Sequence, residues 1–130
     1  MNIAIIDYGS GNLHSALKSF EAAASEFKNV SVTLTSCYKE VLSADKIVLP
    51  GVGSFAFCKL SLLENSDVHR ALCHLVIEKK KPFLGICVGM QLLATKGNEG
   101  ERNNTGLDWI SGEVKKIVVD QNFKIPHMGW

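Results

Sequence analysis

Residues 82–91 read PFLGICVGMQ. One cysteine, Cys87, stands between Gly85 and Gly89, each two places away. A short apolar run, FLGI at 83–86, leads in as a strand, and VGMQLLAT at 88–95 leads out as a helix. G-x-C-x-G at a strand-to-helix turn is the cysteine form of a nucleophile elbow. Such a turn forces its central residue into a strained backbone conformation with the side chain exposed. The residues two places away must be small, or strand and helix could not pack closely. The helix that follows aims backbone N–H groups and the positive end of its dipole at the sulfur, which activates the thiol and supplies donors for an oxyanion. The same five residues also suit a buried cysteine in a strand with glycines for packing. The strand before and the helix after favour the nucleophile.

The rest of the chain supplies a setting for such a turn. Residues 2–7 (NIAIID) are an apolar run closing in an acid, which suits a buried parallel strand. Leu13, Ala16, Leu17, Phe20, Ala23, Ala24 and Phe27 recur at helical spacing and predict a helix over about 12–27. SVTLT at 31–35 alternates as a second strand, and DKIVL at 45–49 makes a third, stopped by Pro50. Val68, Leu72, Leu75 and Val76 mark a helix that Ser66 caps and Lys79, Lys80 and Lys81 end. Residues 97–106 (GNEGERNNTG) read as an exposed loop, and EVKKIVV at 113–119 as a further edge or antiparallel strand.

Strands alternating with helices predict an α/β fold, a mostly parallel open sheet with helices on both faces. The chain carries no internal repeat and no linker, so residues 1–130 form one domain. In sheets of this kind the ligand sits beyond the carboxyl ends of the strands. Three glycine-rich turns fall there: YGSGN, PGVG and CVG. An oxyanion hole wants one N–H from the residue after the nucleophile, Val88, and another from a neighbouring loop. PGVG, with Gly51, Val52 and Gly53, is placed to give the second, although by itself it would pass for a plain turn.

Composition narrows the function classes. A net charge of +1 leaves no basic face for nucleic acid. The N-terminus has no basic n-region, and no stretch approaches the length of a membrane span, which predicts a cytoplasmic protein with no membrane partner. The four cysteines, at 37, 58, 73 and 87, form no CxxC pair and have no histidine at zinc spacing, so neither a metal site nor a disulfide is expected. Cys37, Cys58 and Cys73 sit among apolar neighbours and read as small core residues.

IIDYGSGN (5–12), LPGVGSF (49–55), FLGICVGMQLL (83–93) and KIPHMGW (124–130) together resemble the class I, or triad, glutamine amidotransferases. Within them the resemblance is to the glutaminase subunits of imidazole glycerol phosphate synthases, enzymes of histidine biosynthesis. It implies a flavodoxin-like amidotransferase fold and a hydrolase that needs no cofactor. A thiolate, matching Cys87, attacks the side-chain amide of glutamine; ammonia leaves, and water releases glutamate from the thioester. The ammonia passes to a (β/α)8-barrel cyclase partner. Gly51, Val52, Gly53 and Val88 match the oxyanion region, and Gln91 a residue of the glutamine pocket. Asn12 and the tail with His127, Met128 and Trp130 match surfaces facing the cyclase.

One departure is large. The family completes its triad with a histidine and a glutamate spaced H-x-E. None of His14, His69, His74 and His127 begins such a motif. The chain is therefore expected to be the N-terminal portion of a longer protein, incomplete at its C-terminus and inactive alone. Two other readings stay open: an amidotransferase serving another acceptor pathway, and a partner-binding module without catalysis.

Overall fold

The computed structural model of the chain describes residues 1–99, 104–120 and 123–126. Strand β1 (Asn2–Ile6) leads into helix α1 (Leu13–Ala24), then β2 (Ser31–Thr35), α2 (Tyr38–Ser43) and β3 (Lys46–Gly51). Helices α3 (Phe55–Glu64) and α4 (Ser66–Leu72) follow, α4 running on into a π-helical segment, Cys73–Glu78. Strand β4 (Phe83–Cys87) ends at the cysteine, where the single helical turn α5 (Val88–Gln91) begins. The four strands form a parallel sheet in the order β2-β1-β3-β4. The order reverses between β1 and β3, the place where open α/β sheets bind their ligands.

The pleat sorts the strand residues between two faces. Ala4 and Ile6 of β1, with Ile47 and Leu49 of β3, join one buried cluster with Val41 of α2, Phe55, Cys58 and Leu62 of α3, and Val68, Ala71 and Leu72 of α4. Ile5 and Val48, at alternate positions and equally buried, lie outside that cluster. α1 packs on β2 and β1. Its apolar stripe is only half-buried; no residue of α1 is fully covered. Helices therefore lie on both faces, as the alternation of elements implied.

Asp45 closes the amino end of the sheet through its carboxylate, which accepts from the Asn2 N–H at 2.7 Å. Phe55, fully buried, carries α3 onto the rest of the fold, and burial of a side chain that size contributes about 1.5–3 kcal/mol.

Several boundaries differ from expectation. Pro50 does not stop β3, which continues to Gly51 and pairs Pro50 with Ile86 and Gly51 with Cys87. β1 pairs with β3 only as far as Ile5 opposite Val48, so at Pro50 no ladder partner remains on that side to need an N–H. Asn65, not Ser66, caps α4: its Oδ1 accepts from the Val68 N–H at 3.2 Å and its Nδ2 donates to the Ser36 carbonyl at 3.2 Å. Helices α2 and α3 carried no clear apolar period and were not foreseen. Cys37, read as a core residue, is exposed at the start of α2, and Cys73 is only half-buried.

The larger difference follows the elbow. The expected helix over 88–95 ends at Gln91, and residues 94–97 become strand β5 of a second, smaller sheet. That sheet has the order β6-β5-β7, with β6 (Asn104–Thr105) antiparallel and β7 (Ile110–Val114) parallel to β5. The strand expected over 113–119 is thus displaced to 110–114; it lies at the edge, as one of the two readings had it, and runs parallel. Tertiary pairing overrides local propensity here. A side chain at Gly97 would come within 2.6 Å of the Phe55 ring, so β5 is held flush against the buried start of α3. Phe83 and Trp109 meet edge-on, with ring centroids 5.4 Å apart, and join the small sheet to β4.

Candidate active site

Cys87 has φ 53° and ψ −117°, left-handed backbone that a side-chain-bearing residue adopts only under constraint. The constraint is visible in its glycine neighbours. A Cβ on Gly85 would fall 2.6 Å from Cα of Met90, and one on Gly89 would fall 1.9 Å from the carbonyl oxygen of Leu49. Both positions abut backbone, so no side chain can enter without moving β3 or α5. The spacing therefore does what an elbow requires: strand and helical turn close on each other and the thiol is left exposed. The helical turn spans only four residues, so its backbone N–H groups, rather than a long helix dipole, are what it offers the sulfur. Val88 opens that turn, its N–H immediately following Cys87.

PGVG lies where expected, since Gly51 is the register partner of Cys87. Its fit to the elbow is close: a Cβ on Gly51 would lie 2.6 Å from the Gly89 nitrogen and 2.8 Å from the Tyr8 hydroxyl oxygen. Gly53 holds φ 120°. The Val52 N–H, however, donates to Ser10 Oγ at 3.1 Å, and the Val52 carbonyl accepts from the same hydroxyl at 2.7 Å. Cys58 Sγ lies 3.1 Å from Ser10 Oγ and 3.5 Å from the Val52 carbonyl oxygen. The Val52 N–H is thus engaged by Ser10.

Tyr8 donates to the Pro50 carbonyl at 2.6 Å. Burial, reinforced by Cys58, pushes its hydroxyl well above the usual phenol range and keeps it a donor. Tyr8, Ser10 and Cys58 were missed as individual residues. The signal that existed was the DYGSGN turn, whose side chains cannot be assigned partners before the third strand is placed beside the first.

Gln91, at the end of α5, lines a cavity of about 610 Å3 with Phe55, Gly97, Asn98, Glu99 and the Val114–Lys116 stretch. Cys87 is not part of that lining; it stands exposed just before the helical turn that carries Gln91. Glu99 accepts from the Phe55 N–H at 2.5 Å, and Asn98 has a buried Oδ1 with no hydrogen-bond partner. Lys115 is paired with Glu113 at 2.9 Å. The polar stretch from 97 onward read as plain loop because its residues show no period.

No described histidine lines this cavity. His14 is exposed on α1. His74 pairs with Glu78 at 2.7 Å, and His69 lies 3.7 Å from Cys73, both contacts within the one helical stretch. Burial lowers the His69 pKa, with Lys59 adding to the effect, and burial raises that of Cys73. Asn12 caps α1, accepting from the Ser15 N–H at 3.3 Å, and is exposed. His127, Met128 and Trp130 lie outside the described residues. Among the described residues no group of three or more His, Cys, Asp or Glu side chains could hold a metal ion, and no helix is long and apolar enough to cross a membrane.

Residues 4–130 match the family model of the class-I glutamine amidotransferases. The imidazole glycerol phosphate synthase subunit HisH of Rhodopseudomonas palustris is 51% identical over 132 residues, spanning all of this chain and 61% of that protein. The HisH subunits of Bradyrhizobium diazoefficiens and Rhodospirillum rubrum are 51% and 48% identical over the same shares. The chain thus spans 61% of the length of the curated relatives it matches. With the elbow at Cys87 built as its sequence required, the chain belongs to the class-I glutamine amidotransferase family.

Proposed function

We propose that this chain carries the nucleophile of a glutaminase that feeds ammonia to a synthase partner. The observation that carries the reading is Cys87 itself: exposed, left-handed, and fixed between two glycines whose Cβ positions are occupied by backbone. The sulfur attacks the side-chain carbonyl carbon of glutamine. A C–S bond forms, negative charge develops on the oxygen, and the Val88 N–H stands next to it. Collapse breaks the C–N bond, and the leaving amine takes up a proton and departs as ammonia. Water then attacks the thioester, the C–S bond breaks, and glutamate and the thiol are regenerated. Gln91, Asn98, Glu99 and the lysine pair at 115 and 116 surround one cavity with the amide, carboxylate and cationic groups that an amino acid's ammonium and carboxylate call for. Gly51, Val52 and Gly53 supply the second oxyanion donor once the Val52 N–H leaves Ser10.

The leaving amine needs an acid and the attacking water a base, and no described histidine stands at the cavity, so we assign that acid–base group to residues beyond the described ones. The HisH relatives are subunits of imidazole glycerol phosphate synthase, and we extend that role to this chain: its partner is a (β/α)8-barrel cyclase that consumes the ammonia in histidine biosynthesis. Asn12, His127, Met128 and Trp130 are the residues assigned to that contact. We place the protein in the cytoplasm as one half of a heterodimer.

The test is acid-quenched mass spectrometry of the protein with its cyclase and glutamine. A glutamyl adduct on the peptide carrying Cys87, lost in Cys87→Ala, supports the reading. An adduct elsewhere, or glutamine turnover that survives Cys87→Ala, overturns it.

A further inference from the structure

Tyr8 is a buried hydroxyl that the attack on glutamine does not use. It is 7% exposed, whereas Cys87 stands in the open. Its hydroxyl donates to the Pro50 carbonyl at 2.6 Å. Pro50 is the second-last residue of β3, past the last rung of the β1–β3 ladder. Its carbonyl thus takes its donor from a side chain at the turn after β1. The next residue, Gly51, is the register partner of Cys87. At the point where a Gly51 Cβ would sit, the Gly89 nitrogen is 2.6 Å away, the Tyr8 hydroxyl oxygen 2.8 Å and the Val88 carbonyl carbon 3.1 Å. The Tyr8 hydroxyl and the Val88–Gly89 peptide of the elbow therefore close on the same side of Gly51, at the end of β3.

We propose that Tyr8 is a positioning residue for the nucleophile elbow, its hydroxyl holding the Pro50–Gly51 peptide against the Val88–Gly89 peptide so that Cys87 keeps its strained, outward conformation. The strain at Cys87 persists only while its surroundings over-determine it. Gly85 and Gly89 supply the steric part of that determination, and Tyr8 supplies the polar part. Removing the hydroxyl leaves a buried carbonyl without its donor, and the cheapest remedy is a rotation of the Pro50–Gly51 peptide. That rotation removes the wall against which the elbow turns, and the thiol relaxes inward. A tyrosine that only filled the core would leave Cys87 unaffected.

The proposal rests on the assignment of Cys87 as nucleophile, and its first test is independent of glutamine. Wild type, Tyr8→Phe and Val68→Ala are treated with iodoacetamide at neutral pH, and alkylation of Cys87 is followed by peptide mapping against Cys37 in the same molecule. Val68 is fully buried on α4 and serves as the destabilised control. We expect the Cys87-to-Cys37 rate ratio to fall at least threefold in Tyr8→Phe and to stay at the wild-type value in Val68→Ala. An unchanged or raised ratio in Tyr8→Phe, or an equal fall in Val68→Ala, makes Tyr8 a structural residue and overturns the proposal. In the complex with the cyclase, the same Tyr8→Phe variant should lose kcat at least threefold with KM unchanged; a raised KM with intact kcat counts against it equally. If neither wild type nor variant turns over glutamine while the alkylation ratio still falls, the glutaminase reading fails and the positioning role stands.

Discussion

The Ser10 hydroxyl holds both polar groups of Val52, donating to its carbonyl at 2.7 Å and accepting from its N–H at 3.1 Å. One side chain thus sets the orientation of the peptides on both sides of Val52, in the loop beside Cys87. Ser10→Ala removes both bonds and leaves Cys58 Sγ only its longer contact with the Val52 carbonyl, at 3.5 Å. The expected cost is about 1–3 kcal/mol of stability, from polar groups left without partners. Amide exchange measured by NMR should show the Val52 N–H exchanging at least tenfold faster, with strand β1 unaffected. Protection of Val52 that survives the substitution would mean that the backbone alone holds the loop.

The glycines of the elbow should be unequal to other glycines. Gly89→Ala drives a methyl group into the Leu49 carbonyl, and neither β3 nor α5 can withdraw without breaking the sheet pairing. A loss of about 3 kcal/mol or more is expected. Gly9 has φ 80° but no heavy atom within 4 Å of its Cβ position, so Gly9→Ala should cost only its backbone strain, about 1–2 kcal/mol. Urea midpoints of the two variants decide this; equal losses would remove the steric account of G-x-C-x-G.

Thiol chemistry separates the four cysteines by position. Cys58 is fully buried, and burial holds the Cys73 thiol above its ordinary range, so both should alkylate slowly. Cys37 and Cys87 are both exposed and each is followed by a helical N–H, but only Cys87 sits on a strained, positive-φ turn. Limited alkylation with peptide mapping should label Cys87 first and Cys37 second. Labelling of Cys37 ahead of Cys87 would remove the support for an activated elbow thiol.

His69 gives the fold a pH dependence of definite sign. Burial, with Lys59 nearby, lowers its pKa in the folded state, so the unfolded chain takes up a proton at a higher pH than the folded one. This contribution to stability is complete above the unfolded pKa of about 6.5 and is lost as pH falls through the folded value. Urea midpoints should therefore drop between pH 7 and 5, and His69→Gln should flatten that part of the curve. A curve of unchanged slope in His69→Gln would assign the acid sensitivity to other groups.

Much of this protein was legible before any coordinates. The strands at 2–6, 31–35 and 83–87 announced themselves as apolar or alternating runs, because burial on a sheet writes its period directly into the sequence. Cys87 between its glycines was legible for a similar reason. Steric exclusion at Gly85 and Gly89 is absolute and admits one residue type, so the constraint survives as a local pattern. Other features had no local trace. The helix expected beyond Gln91 gave way to β5, because pairing with β7 and contact with Phe55 outweigh the helix propensity of four residues. Pro50 lies inside a strand because the neighbouring strand has already ended, a fact about register and not about proline. Only the tertiary structure decided that Tyr8 and Ser10 meet Pro50 and Val52, and that Cys58 closes the same cluster. Those residues lie 42 to 48 positions apart in the chain, and a hydrogen bond between them exists only once β3 has been laid beside β1. Sequence determined the strained turn at Cys87 through local sterics, and the fold determined what holds the loop beside it through long-range polar contacts.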